Sequence, residues 1–315
     1  MASVSRSTGS FALLGALAVL AGCAEDPDEA LADDDLDGKR ALHGWIVIER
    51  GESEGAVRTN VSAKFLQVGR AEIGIAQQLV KARPDVPPSG DCVAISSLEA
   101  PVASPSSLSV DLLDVGDVTL TIHEPATHET VIHEPETSRI VLAPRAFPNI
   151  GDLVSGVFYT SPDASLRLPM PADYEIGGTG SSVIDAFLVD VRSPEAPRDV
   201  RVDREAIDLV DTGEISNIVV RAGQDIELGW AAPADPSASL VYVDVRPDMG
   251  AAYRCTFPDG GGALLPAGLV SSSDREATLT LHRLTEHAAT LRGAEDAHPA
   301  TVVFDLSKSV RLTVR

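Results

Sequence analysis

Little in this sequence is aromatic or basic. Phe, Tyr and Trp together make up 4% of the 315 residues, which argues against a stacked-ring platform for sugars. Lys and Arg number 25 against 47 Asp and Glu, a formal charge of −22. A surface this acidic repels phosphate backbones and anionic lipid heads, so nucleic acid is disfavoured as a partner while divalent cations and basic partners stay open. Cysteine is scarce as well, with 3 residues, no C-x-x-C and no Cys–His spacing of the kind that zinc sites use. No H-E-x-x-H occurs. Gly177-Gly178-Thr179-Gly180-Ser181-Ser182 lacks both the nucleophile elbow and a phosphate-binding lysine, and it reads as a turn between strands. No cofactor is expected from these patterns.

What is present begins at the N-terminus. Arg6 precedes an apolar run from Phe11 to Leu20 that is too short to span a bilayer and has the layout of a cleavable signal. Leu20-Ala21-Gly22-Cys23 closes it and resembles the lipobox of bacterial lipoproteins. That resemblance implies that residues 1–22 are removed as a signal peptide and that Cys23 is acylated on its thiol and new amino group. Several acyl chains hold firmly to a membrane where one holds only marginally. It also implies a place in the cell envelope. Ala24, standing where an aspartate would favour inner-membrane retention, points to the outer membrane or cell surface.

Residues 23–42 read as an acidic, disordered tether, because Glu25, Asp26, Asp28, Glu29, Asp33, Asp34, Asp35 and Asp37 repel one another and offer little to bury. Within it, Asp33-x-Asp35-x-Asp37-Gly38 copies the opening of a calcium loop. The closing bidentate glutamate of such a loop would fall at Gly44, so a solvated acidic stretch competes with calcium binding.

From residue 43 onward, short β-type runs alternate with Gly, Pro, Asp and Ser, the signature of a sandwich or barrel. Residues 43–192 are expected to form a β-rich domain whose one good helix candidate runs from Glu72 to Arg83, before Pro84. Ser193-Pro194-Glu195-Ala196-Pro197 is read as the core of a linker over 193–198. Residues 199–315 then start a second cycle of strands. Asp225 to Trp230 alternates strictly and sets Ile226, Leu228 and Trp230 on one face. Together with Leu240 to Val245, this stretch resembles the B and C strands of fibronectin type III-like sandwiches, which implies that Trp230 packs beneath a tyrosine-bearing neighbour. Cys255 to Gly260 followed by Leu264-Leu265-Pro266-Ala267 is similar to a pattern of secreted lipoproteins of GC-rich bacteria. The expectation is an all-β protein with two β-sandwich-like domains.

Two further sets of residues are candidates for chemistry. Ile122-His123-Glu124-Pro125 recurs as Ile132-His133-Glu134-Pro135, with His128 midway. A hairpin turning near His128 would bring His123 and His133 together beside Glu124 and Glu134, a donor set suited to a divalent metal. The competing reading is a polar edge hairpin, since Pro125 and Pro135 each remove a ladder hydrogen bond. With Cys23 lipidated, Cys92 and Cys255 remain, and export would place them where disulfides persist. Whether they are bridged is open at this stage, because they fall in different predicted domains and bonding needs Cα atoms within about 7 Å. Function is expected to be that of a non-enzymatic binding or structural module with an envelope partner. An envelope hydrolase whose residues converge only in three dimensions is the alternative, and metal binding at the histidine segment is another.

Overall fold

The computed structural model describes residues 41–53, 56–68, 73–98, 109–123, 137–147, 154–162, 168–207, 218–292 and 297–315. Cys23, Asp33, Asp35, Asp37, Glu124, His128, His133 and Glu134 lie outside the described residues. The first strands are β1 (Ala41–Ser53) and β2 (Ala56–Val68), followed by α1 (Ile73–Leu79), β3 (Cys92–Ala94) and α2 (Ile95–Leu98). Next come β4 (Val110–Leu112), β5 (Val118–His123), β6 (Thr137–Ala146), β7 (Val154–Thr160), β8 (Asp173–Gly178) and β9 (Phe187–Arg192). The C-terminal part holds β10 (Arg201–Val202), β11 (Glu205–Ala206), β12 (Ile218–Val220), β13 (Ile226–Gly229) and β14 (Ser239–Pro247). It ends with β15 (Tyr253–Pro258), β16 (Gly262–Leu265), β17 (Glu276–Leu291) and β18 (His298–Val314). The protein is all-β, with two helical segments of 7 and 4 residues among the described residues.

The predicted helix over 72–83 is shorter in the structure. Lys81 takes a left-handed conformation (φ 47°), and the Ala82 amide donates back to the Gln77 carbonyl, which closes the helix before Arg83. The start of the 177–182 stretch, expected as a turn, is also corrected. Gly177 and Gly178 end β8, where Gly178 lies opposite Phe187, and a Cβ at Gly178 would meet that ring at 2.3 Å. Glycine is there because an aromatic ring occupies the space above it.

Residues 199–315 form two facing sheets. One has the order β11-β10-β13-β16, and the other runs β15-β14-β17-β18, with β12 added in parallel on β18. Ile226, Leu228 and Trp230 point between them and meet Val241, Val243, Val245, Leu279, Leu281 and Leu312. The alternation read from the sequence is thus the alternation of a half-buried strand. Tyr242 does not pack on Trp230 as the resemblance implied. Period-2 geometry sends its side chain to the opposite face from Val241 and Val243.

The N-terminal half, expected as a sandwich-like domain, joins its strands to the same sheet as the C-terminal half. β1 pairs in parallel with β18, β2 pairs with β1, and the order continues through β4, β7, β6, β5 and β8 to β9. Leu188 of β9 then exchanges backbone hydrogen bonds with Arg292 at the end of β17, bringing the roll back on itself. Its interior holds Ile46, Phe65, Leu120, Ile176, Phe187, Val302 and Phe304.

β17 and β18 therefore serve both cores. Their antiparallel register runs without interruption from Glu276↔Thr313 to Leu291↔His298, far longer than the five or six residues of an ordinary strand. Residues 39–315 form one compact unit as a result. The segment 193–198, expected as a linker, is bonded on both sides. The Ser193 amide donates to the Ala172 carbonyl, the Ala172 amide donates to Ser193 Oγ, and the Ala231 amide donates to the Arg198 carbonyl.

On the outer side of the roll, Trp45 is buried against Leu66, Val80 and the apolar side of α1. His43 stacks on it with ring centroids 3.8 Å apart and shares a hydrogen bond with Thr301 Oγ1. Burial pushes the His43 pKa down to about 4 from 6.5, so the folded state holds the neutral ring. The unfolded chain takes up that proton first, so the His43 contribution is intact above pH 6.5 and is lost as pH falls toward about 4. Urea midpoints of wild type should drop more across that window than those of His43→Gln, and equal slopes would contradict the assignment. A second expectation follows from the shared hairpin. Residues 199–315 expressed alone would leave Phe304, Leu306 and Leu291 without their partners, so no cooperative thermal transition by circular dichroism should appear.

Candidate functional site

Two polar clusters sit where the sandwich meets the roll, on opposite faces of the continuous sheet. The inner one centres on Asp259, just past the end of β15. Its carboxylate is fully buried and accepts from Arg283 Nε (2.6 Å), from Arg283 Nη2 (3.1 Å), from the Trp230 indole N–H (2.6 Å) and from Ser239 Oγ (2.7 Å). Arg283 also donates to the carbonyls of Ala231 and Glu195. All of these bonds tie strands of both sheets and the 193–198 segment to one ion pair. Its chemistry is structural, since both partners are closed off from solvent and bonded to each other.

The outer cluster lies across β14, β15, β17 and β18. Tyr242 is buried between two planar groups. The His282 ring stacks on it at 4.1 Å, and the Arg254 guanidinium lies 4.4 Å from its centroid. The Tyr242 hydroxyl donates to Asp305 (2.5 Å), and His282 Nδ1 shares a hydrogen bond of 2.9 Å with the same carboxylate. Arg254 reaches Asp244 with two parallel bonds of 2.7 and 2.8 Å, the bidentate geometry that suits guanidinium and carboxylate. Burial first and the Asp305 charge second push the Tyr242 pKa well above its ordinary value. Burial by itself would raise Asp244, but the Arg254 hydrogen bonds and charge outweigh it and hold the carboxyl below the usual range.

These groups face outward, yet Tyr242 and Asp244 are 1% and 4% exposed. The segment 81–98 covers them. Arg254 Nη1 donates to the Asp85 carbonyl, the Gly90 amide to the Thr256 carbonyl, and the Thr256 amide to the Asp91 carbonyl. Val86 packs beside Tyr242, Leu284 and Val303. A disulfide joins Cys92 to Cys255, directly opposite each other in the pairing of β3 with β15, with Cα atoms 4.0 Å apart. The two cysteines, assigned to different domains from sequence, meet because β3 is the edge strand of the C-terminal sheet.

Between this strap and the sheet lies a cavity of about 350 Å³. Val47, Pro84, Ile95 and Leu98 give it apolar walls, and Glu49, Lys81, Arg83, Asp85 and Arg254 bring charges of both signs. A neighbouring concavity of about 300 Å³ shares Arg83 and Asp85 and extends along α1 past Gly74, Ile75 and Gln77.

Of the histidine segment, His123 is the one candidate ligand among the described residues. Register places Thr137 and Asp173, on either side, opposite His123. Among the described residues no group of three or more His, Cys, Asp or Glu could hold a metal ion. The His–Asp pair that the fold does build, His282–Asp305, escaped the sequence reading, since its members lie on different strands with no local motif. Ser307 faces His282 across β17 and β18.

No family model matches the chain, and no curated protein matches it either. Among solved structures, a two-domain fibronectin type III segment of chicken tenascin is similar at 9% identity, over 81% of this chain and 95% of that one, with a TM-score of 0.18. The FN1–FN3 domains of chicken CNTN1 are similar at 11% identity, over 77% of each chain, with a TM-score of 0.19.

The inner ion pair yields a direct expectation. Asp259→Ala would leave the Arg283 guanidinium buried without a counter-charge, a loss of about 3–5 kcal/mol. Urea unfolding measures it, with Asp259→Leu combined with Arg283→Met as the comparison that removes both charges and regains much of the loss. A cost below about 1 kcal/mol for Asp259→Ala would mean that the pair is not desolvated.

Proposed function

We propose that this chain is an exported bacterial lipoprotein, anchored through acylated Cys23, that serves the cell envelope as a non-enzymatic binding or structural module. The observation that carries the reading is Leu20-Ala21-Gly22-Cys23 closing a short apolar run, followed by an acidic stretch through Asp37. Small residues before the cysteine suit cleavage and acylation there, and the like charges that follow keep the polypeptide extended between lipid and folded body. Ala24 supports the outer membrane or cell surface as the destination. A body built as one continuous sheet with two cores suits presentation of a fixed surface, because no hinge separates its halves.

Metabolic labelling with a fatty acid tests the reading. The wild-type chain should incorporate label and sediment with membranes, whereas Cys23→Ala should lose both. Equal labelling of the two proteins would overturn it.

A further inference from the structure

The charged cavity between the strap and the sheet has features that the structural role of the strap does not explain. Arg83 is paired with Glu286 at 3.2 Å, and Arg254 with Asp244. That leaves Lys81 as the cation of the lining with no ion-pair partner among the described residues. Glu49 and Asp85, on the same lining, likewise have no basic side chain at ion-pair distance among the described residues; Glu49 accepts only from the Asn60 amide. One ammonium and two carboxylates without an ion pair at bonding distance, Glu49 lying within the field of the Lys64 ammonium, thus line a space whose remaining walls are Val47, Pro84, Ile95 and Leu98.

The lining is held in place rather than loosely arranged. Arg254 is fixed by Asp244, by the Asp85 carbonyl and by stacking on Tyr242. The strap is fixed by the Cys92–Cys255 disulfide and by the Ile95 amide donating to the Ala252 carbonyl. Lys81 is held by its left-handed backbone, with its carbonyl accepting from Lys64 Nζ. A preformed lining spares a ligand the cost of ordering it.

We infer that this cavity binds a short zwitterionic peptide with apolar side chains, a dipeptide by size. Its carboxylate pairs with Lys81 and the N–H groups that Arg254 still has free, its ammonium with Glu49 and Asp85, and one side chain lies against Val47, Pro84, Ile95 and Leu98. The volume of about 350 Å³ falls at the small end of ligand sites, which span roughly 300–1,000 Å³. The adjoining concavity, continuous through Arg83 and Asp85, takes the second residue. A zwitterion pairs with both sets of charges, whereas a ligand of one charge sign leaves the opposite set without a partner. The inference rests on the binding reading above and names its ligand class.

Isothermal titration of the full chain with the dipeptide Leu-Leu tests it. A saturable single-site heat is expected, none is expected with the N-acetylated, C-amidated dipeptide, and Lys81→Ala or Glu49→Gln should each weaken binding about tenfold or more. Both side chains stand at the surface, so neither variant endangers the fold. No saturable heat at millimolar dipeptide, equal binding of the capped dipeptide, or affinity unchanged in both variants would each overturn the inference. Fatty-acid labelling at Cys23 is read independently of this titration, so the anchor can stand while the ligand assignment fails.

Discussion

One uninterrupted hairpin governs this structure. The β17–β18 ladder is hydrogen-bonded through sixteen consecutive residue pairs, and a sheet that long cannot belong to one core alone. Its C-terminal end of β18 and start of β17 close the sandwich over Leu279, Leu281 and Leu312, while the other end lines the roll with Leu291, Val302 and Phe304. Because successive side chains alternate between faces, one side of the hairpin feeds both apolar interiors in turn. The roll could not close without Arg292 at the end of β17, nor could β1 find a parallel partner without the first half of β18.

Where the two interiors meet, the apolar side of the hairpin is interrupted by Arg283, and the interruption is answered in full. Asp259 takes its charge, and carbonyls of Ala231 and Glu195 take its other N–H groups. A buried ion pair of this kind contributes little net stability compared with a well-packed apolar pair. What it does is demand one arrangement, because only that arrangement brings Trp230, Ser239 and Asp259 to the same guanidinium. The reverse side of the hairpin shows the same logic. Asp305 and Asp244 are tolerated beneath the strap because Tyr242, His282 and Arg254 satisfy their oxygens.

Particular residues show which parts of this were legible beforehand. Asp225 to Trp230 carries a strand signal strong enough to read, because it alternates apolar and polar residues against a single core. β8 escaped notice because its glycines resemble a turn, and their reason for being there is Phe187 on the neighbouring strand. Tyr242 was misplaced for a related reason. In Leu240 to Val245 both faces are buried, so no pattern within the strand says which side meets Trp230 and which meets the strap. The boundary at 193–198 looked like a linker from its prolines and charge, and composition carries no sign of the carbonyl that Glu195 lends to Arg283.

The sequence by itself determined what depends on neighbours along the chain: the all-β class, the run of strands with their in-and-out alternation, and the motif at Leu20 to Cys23. It left open everything that depends on residues far apart. Cys92 and Cys255, 163 positions apart, are bonded only because β3 joins the edge of the sheet at β15. His282 finds Asp305, and Lys81, Glu49 and Arg254 surround one cavity, only because strands from both halves share a sheet and the strap crosses it. Local periodicity records which way a side chain points, whereas partners are chosen by strand order, and strand order is decided by burying both cores around the same hairpin.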